Sequence, residues 1–391
     1  MNVQDRGLPG GGGEGAGGAR TLPLLFAPLT LRGLTLRNRV VVSPMCQYLA
    51  VEGAVTEWHQ AHHSRFALGG VGLAFVEATG VTRDGRISHG CTGIYDAAHV
   101  PGLKRIADLY HAHGAAVGIQ VGHAGRKAST ERPWDGAAPI EPGKAEAPWP
   151  TVAPSAIPAR AGWHTPRALT EAEIGEIVAA FGQAARRADR AGFDAIEIHG
   201  AHGYLLHTFL SPLSNRRTDR YGGSLANRMR APLEVAEAVA AAWPREKPIF
   251  YRASVTDDLE GGLTVDDTIA LARELKARRV DVVDCSSGGI IGPVALKTIQ
   301  PGPGFQVPLA DAVRHGAGIA TMAVGMITEP QQAEAILREG RADLVAIARE
   351  FLADSAWVYR AAQALGLDDP FGVLPPPYAF HLRRRAAGLK S

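Results

Sequence analysis

The chain has 391 residues, 46% of them hydrophobic, enough to bury a large core as one large α/β barrel or as two smaller domains. Its 41 basic and 39 acidic residues nearly cancel and are spread along the chain, so they build no field for nucleic acid or a membrane surface, and small partners are favoured. Three scattered cysteines, Cys46, Cys91 and Cys285, supply neither a disulfide framework nor a Cys-X-X-Cys site, which fits a reducing cytoplasm.

Residues 1–20 are Gly-rich and lack a basic segment leading into an apolar one, so a disordered tail is expected rather than a secretory signal. Eight short apolar runs then recur: 39–44, 72–78, 115–125, 194–200, 248–254, 280–288, 319–326 and 343–350. Each closes on polar or Gly residues and precedes a helix-period segment. The clearest of these, 171–192, opens on Thr170 with Glu173 three residues on and closes at Gly192. Near-continuous apolar strands alternating with helices predict a parallel sheet covered by helices. Eight units predict an α/β fold of the (β/α)8 TIM-barrel type over 21–373. The interval between the third and fourth strands is the longest, and its Pro-rich part, 133–166, is expected to form an ordered excursion over the barrel mouth. Residues 374–391 form a C-terminal extension in which three prolines are expected to hold an extended segment before Tyr378, Phe380 and His381.

A barrel gathers its site where the strands end. That rule collects Ser43, Pro44, Met45 and Cys46 after strand one, Ala78 after strand two, and Gln120 and His123 late in strand three. His199 and His202 follow strand four and Arg252 ends strand five. Ser286, Ser287 and Gly288 follow strand six, Gly325 strand seven and Arg349 strand eight. Glu77, Glu197 and Asp284 lie inside strands, their facing open. Two imidazoles at a strand end can bind zinc, but a barrel hydrolase normally adds further ligands from several strand ends. Beside Tyr204, neutral imidazoles are natural donors to a developing oxyanion, and this reading is preferred to a metal site.

The runs LFAPLTLRGLTLRNRVVVSPMCQY, FVEATGV, GIQVGHAGRKAS, IEIHGAHGYLLHTFLSPLSNRRTDRYGGSLANR, DCSSG and GRADLVAIARE together resemble the Old Yellow Enzyme family of FMN-dependent ene-reductases. Cys46 after SPM and the paired histidines make the chain similar to the thermophilic-like and xenobiotic-reductase-like branch. The resemblance implies non-covalent FMN, NADPH (or NADH) as reductant, and an activated alkene as substrate. It implies that Ser43, Pro44, Met45, Cys46 and Ala78 line the flavin ring, that Gln120 and Arg252 meet its pyrimidine edge with His199, and that Ser287 and Gly288 lie close by. Gly325, Met326, Ala348 and Arg349 are expected at the phosphate, Ala348 standing where many relatives carry Gly. His199 and His202 are expected to hold the substrate carbonyl, Tyr204 to donate the proton, and Tyr48 to contact substrate. Val324 stands where some relatives carry tryptophan, which would widen the pocket. The resemblance also implies a homodimer or homotetramer in which the C-terminal segment reaches a neighbour's site. A flavoenzyme with a fused iron–sulfur domain would need a cysteine cluster that is missing here. A non-enzymatic FMN-binding protein would not need the paired histidines and tyrosine.

Overall fold

The computed structural model describes residues 21–291 and 297–389, so the Gly-rich segment 1–20 lies outside the described residues. Eight parallel strands close into a barrel: β1 (Val40–Val42), β2 (Leu73–Gly80), β3 (Ala116–Gly122), β4 (Ala195–Gly200), β5 (Ile249–Ser254), β6 (Val282–Ser286), β7 (Ala320–Ala323) and β8 (Leu344–Ile347). β8 pairs with β1 to complete the ring. A helix follows each strand: α1 (Glu57–Ala67), α2 (Val100–Ala112), α3 (Glu171–Arg190), α4 (Leu225–Ala242), α5 (Val265–Ala277), α6 (Val307–Ala317), α7 (Pro330–Arg338) and α8 (Trp357–Ala364). The expected (β/α)8 architecture is present.

Local sequence fixes these elements. Thr170 Oγ1 accepts from the Glu173 N–H at 3.3 Å while Glu173 Oε2 accepts from the Thr170 N–H at 2.8 Å, a reciprocal box that starts α3. Gly192 follows the helix at φ 88°, a left-handed turn that a Cβ would strain.

Both faces of the strands are buried, and successive side chains alternate between helices and barrel interior. The interior layer nearest the strand starts is apolar: Val41, Leu73, Phe75, Ala195, Phe250, Val282, Met322, Leu344 and Ala346 pack together. The Phe75 and Phe250 rings meet edge to face at 5.2 Å. An antiparallel hairpin, Leu29–Leu31 with Leu34–Leu36, adds Leu31 and Leu36 to this cluster and plugs that end. Two residues further along the strands the interior turns polar, with Gln120, Glu197, Arg252 and Asp284. This gradient leaves the strand C-termini as the chemically equipped face.

The excursion after β3 is tied to the loops of that face. Arg132 Nε donates to the Tyr48 carbonyl at 3.1 Å, Trp149 Nε1 to the Asp84 carbonyl at 2.8 Å, and Arg126 reaches the carbonyls of Ile157, Pro158 and Ile290. Val152–Ala153 and Arg167–Ala168 pair as short parallel strands within it.

The C-terminal segment differs from the expected extended form: Pro376–Gly388 is a helix. Pro376 and Pro377 occupy its first turn, where a proline has no hydrogen bond to lose and its fixed φ suits the helix, so the prolines start this element instead of stiffening a strand. Arg383 turns back onto the chain, bonding Asp369 and stacking over the Phe371 ring. Among the described residues no helix is long and apolar enough to cross a membrane.

Candidate active site

β4 delivers His199, and the turn after it carries Ala201 to Tyr204. Gly203, at φ 74°, packs so tightly on the loop after β6 that a Cβ would lie 2.2 Å from the Gly289 carbonyl oxygen. His202 itself adopts φ 60°. The turn is held from three sides. His207 Nδ1 accepts from the Gly203 N–H at 2.9 Å, and its Nε2 faces Asp257 at 3.0 Å in a fully buried pair. The His202 N–H donates to Ser254 Oγ at 2.9 Å. Lys127 Nζ donates to the His202 and Gly289 carbonyls at 2.8 and 2.5 Å and lies 6.0 Å from the Tyr204 ring centroid. Burial, then Arg126 and Arg160, bring the Lys127 ammonium down to about 7.

The expected trio is thereby brought together: the His199 ring stands edge to face with His202 at 5.2 Å and with Tyr204 at 4.9 Å. Burial first, then the Arg252 charge, hold both imidazoles well below the usual histidine range, so both are neutral. His199 Nδ1 accepts from the Ala201 N–H at 3.3 Å, which leaves its ring proton on Nε2. His202 Nε2 lies 2.7 Å from Ser286 Oγ, which itself accepts from Gln306 Nε2 at 3.2 Å. Burial raises the Tyr204 phenol far above its ordinary value, so it keeps its proton.

Beside the trio, Arg252 spans from Asp284 Oδ2, 3.1 Å from its Nε, to Ser43 Oγ, 3.3 Å from its Nη1. Gln120 Nε2 donates to Glu197 Oε1 at 2.8 Å. Arg252, Ser43 and Gln120 are the donors that a flavin pyrimidine edge requires. After β1, Cys46 is half-buried beside Tyr48; burial of the thiol, then Glu77, raises it well above the ordinary thiol value, so it is a neutral SH. Tyr48 also meets the exposed Trp134 of the excursion, ring centroids 6.0 Å apart. Met45 packs partly buried against the core beside Pro44.

Where β7 and β8 end, a cleft of about 420 Å3 is lined by Gln306, Val324, Gly325, Met326, Ala348 and Arg349. Gly325 at φ 122° and Met326 at φ 50° make the turn. Ala348 has φ −112°, so its methyl brings no left-handed strain to this turn. The Arg349 side chain is exposed and has no ion-pair partner among the described residues, free for a phosphate. Ser287 Oγ accepts from Gln306 Nε2 at 2.7 Å and the Gly288 N–H donates to Thr256, so these two shape the wall between cleft and histidines. The donor set thus fits FMN at both its pyrimidine and phosphate ends. Sequence reasoning assigned no role to Gln306 or Lys127. Lys127 stands in the quoted GRK run, but its partners lie 75 and 162 residues away and no local signal reveals them. His123, collected at the mouth, instead accepts from the Gly125 N–H at 3.0 Å through Nδ1 and shapes the loop after β3. Among the described residues no group of three or more His, Cys, Asp or Glu side chains is arranged to hold a metal ion.

Comparison with known proteins matches residues 24–368 to the family described as NADH:flavin oxidoreductase / NADH oxidase. The chain is similar to an NADPH dehydrogenase of Geobacillus sp. (strain WCH70), 48% identical over 345 residues that cover 88% of this chain and 95% of that protein. It is similar to an NADPH dehydrogenase of Listeria innocua serovar 6a, 46% identical over 346 residues with the same two coverages. Among solved structures, morphinone reductase superposes with a TM-score of 0.73 at 29% identity, covering 93% of this chain and 94% of that one. A 2-naphthoyl-CoA reductase complex gives a TM-score of 0.78 at 26% identity, covering 87% of this chain and 52% of that one. A family match running nearly the whole length of the barrel, on relatives covered almost end to end, places this chain in the NADH:flavin oxidoreductase / NADH oxidase family, the FMN-dependent, Old Yellow Enzyme-like oxidoreductases that work with NAD(P)H.

Proposed function

We propose that this enzyme is an ene-reductase acting on the activated C=C bond of α,β-unsaturated carbonyl compounds, with NADPH (or NADH) as reductant. The observation that carries the reading is the trio of neutral His199, neutral His202 and protonated Tyr204 on one turn beside the flavin-edge donors. Bound FMN would supply hydride chemistry between the nicotinamide and the substrate β-carbon. Arg252, Gln120 and Ser43 would hold its pyrimidine edge, Pro44, Met45, Cys46 and Ala78 would flank its ring, and Gly325, Met326, Ala348 and Arg349 would receive its phosphate. His199 Nε2–H and the His202 ring N–H donate to the carbonyl oxygen as it gains enolate charge, and Tyr204 Oη gives its proton to the α-carbon. Tyr48 and the Trp134 excursion close over the substrate and exclude water. The names of the relatives, NADPH dehydrogenase and two reductases, support the reductant and the reaction class. Three free cysteines support a cytoplasmic enzyme.

Tyr204→Phe tests the proton assignment. Stopped-flow kinetics on the variant are expected to show flavin reduction by NADPH at the wild-type rate and reoxidation by 2-cyclohexenone slowed by about 10²–10⁴, the usual span for a general acid. Equal slowing of both half-reactions would assign Tyr204 to packing alone.

The tail supports self-association into a homodimer or homotetramer. On the Pro376–Gly388 helix only Ala379 is buried, while Tyr378 and Phe380 are about half exposed at 51% and 54%, apolar side chains suited to contact with a neighbouring copy. Truncation after Leu374 is expected to lower the mass seen by light scattering and raise the substrate KM with FMN still bound. Unchanged mass and KM would make this helix a passive extension.

A further inference from the structure

Two of the donors expected at the flavin pyrimidine edge, Gln120 and Arg252, are each backed by a buried carboxylate one strand away. Gln120 sits opposite Glu197 in the β3–β4 register, and Arg252 opposite Asp284 in the β5–β6 register. Glu197 and Asp284 are completely buried. Glu197 Oε1 accepts from Gln120, but Oε2 has no hydrogen-bond partner, and Asp284 Oδ1 has none either. Asp284 Oδ2 lies 3.1 Å from Arg252 Nε as an ion pair without hydrogen-bond geometry. The groups acting on Glu197 are Gln120 from β3, Arg252 from β5 and Asp284 from β6, and the apolar layer of Phe75, Phe250 and Met322 lies toward the strand starts. One guanidinium therefore faces two carboxyls. With both ionised, this band of the barrel carries a surplus negative charge in a dry interior, and an acceptor is left bare, a costly combination.

We propose that Glu197 and Asp284 share a single proton, so that the buried band is electroneutral and Glu197 acts as a neutral positioning residue that orients Gln120 and frees Arg252 to meet the cofactor. The proton sits on Glu197 Oε2, an oxygen without a partner, while Asp284, the carboxyl ion-paired with Arg252, balances its charge. Burial, then the Asp284 charge, push Glu197 up to about 8, and burial raises Asp284 as well. The folded chain thus keeps a proton that the unfolded chain releases in the ordinary carboxylate range. Its contribution to stability is complete below that range and is lost as pH rises through about 8. The role toward the cofactor rests on the flavin reading; the shared proton does not.

Infrared spectroscopy at pH 7 tests the proton directly, on both FMN-loaded and FMN-free protein. A carboxylic-acid C=O band that shifts in D2O is expected in wild type. It should vanish in Glu197→Gln, which mimics the neutral acid, and also in Asp284→Asn, where Glu197 is left as the sole anion for Arg252 and ionises. Loss in both single variants is the signature of one shared proton. In the loaded enzyme, Glu197→Gln should also remove a steepening of the flavin midpoint potential with pH near 8, a readout that mere packing would not move. Absence of the band in wild type, or its survival in either variant, would overturn the proposal. A yellow protein without the band would sink this inference alone, whereas a protein with the band that cannot bind FMN would sink the flavin reading alone.

Discussion

Alanine at both His199 and His202 is expected to slow alkene reduction at least about 10²–10³-fold, the cost typical of losing one preorganised oxyanion donor. The two losses should not multiply fully, because both rings serve one oxygen and act as a unit. Flavin reduction by NADPH should change far less, since no carbonyl enolate forms in that half-reaction. Burial and Arg252 keep both rings neutral, so the wild-type rate of alkene reduction should be flat through the ordinary histidine range. Single-turnover reoxidation by 2-cyclohexenone, followed by absorbance across pH 5.5–8, reads both effects. A rate that rises as pH falls through that range would mean that an imidazolium, and not two neutral donors, polarises the carbonyl.

Arg252→Met keeps the aliphatic stem and removes the guanidinium, and is expected to cost both cofactor and stability. Deleting one partner of a buried ion pair typically destabilises by about 3–5 kcal/mol, and here the cation serves two carboxyls. Asp284, left without its cation, can take up a proton to escape that penalty, so the variant should regain stability as pH is lowered. The sign follows from linkage: without Arg252 both carboxyls titrate higher in the folded state, and the folded chain then binds more protons than the unfolded one. FMN affinity should fall because the strongest donor at the pyrimidine edge is gone. Thermal melts at several pH values, together with flavin fluorescence titration, measure the two losses separately. Wild-type FMN affinity in Arg252→Met would remove this residue from the cofactor site.

The fold was legible because the eight strands are buried on both faces and stand out as apolar runs, each ending where the barrel opens to polar loops. The same property hid the facing of Glu197 and Asp284. In a strand buried throughout, such as Ala195–Gly200, no apolar–polar alternation survives to set the phase, and only the register with Gln120 and Arg252 shows both carboxyls inside the barrel. The His199, His202 and Tyr204 group was readable as a motif within six residues. What holds it was not, since Ser286 lies 84 residues from His202 and Gly289 lies 162 from Lys127. The tail was misread because three prolines in a row suggest an extended chain, while prolines in a first helical turn are equally at ease.

The central claim, that hydride from NADPH passes by way of FMN to an activated alkene in this barrel, is tested by one anaerobic absorbance experiment. Purified protein is titrated with one equivalent of NADPH and then with 2-cyclohexenone. The account predicts a yellow protein whose flavin bands bleach with NADPH and return in full with the enone, yielding cyclohexanone in equal amount. Bands that bleach with NADPH but return only when oxygen is admitted, whichever activated alkene is offered, would contradict it.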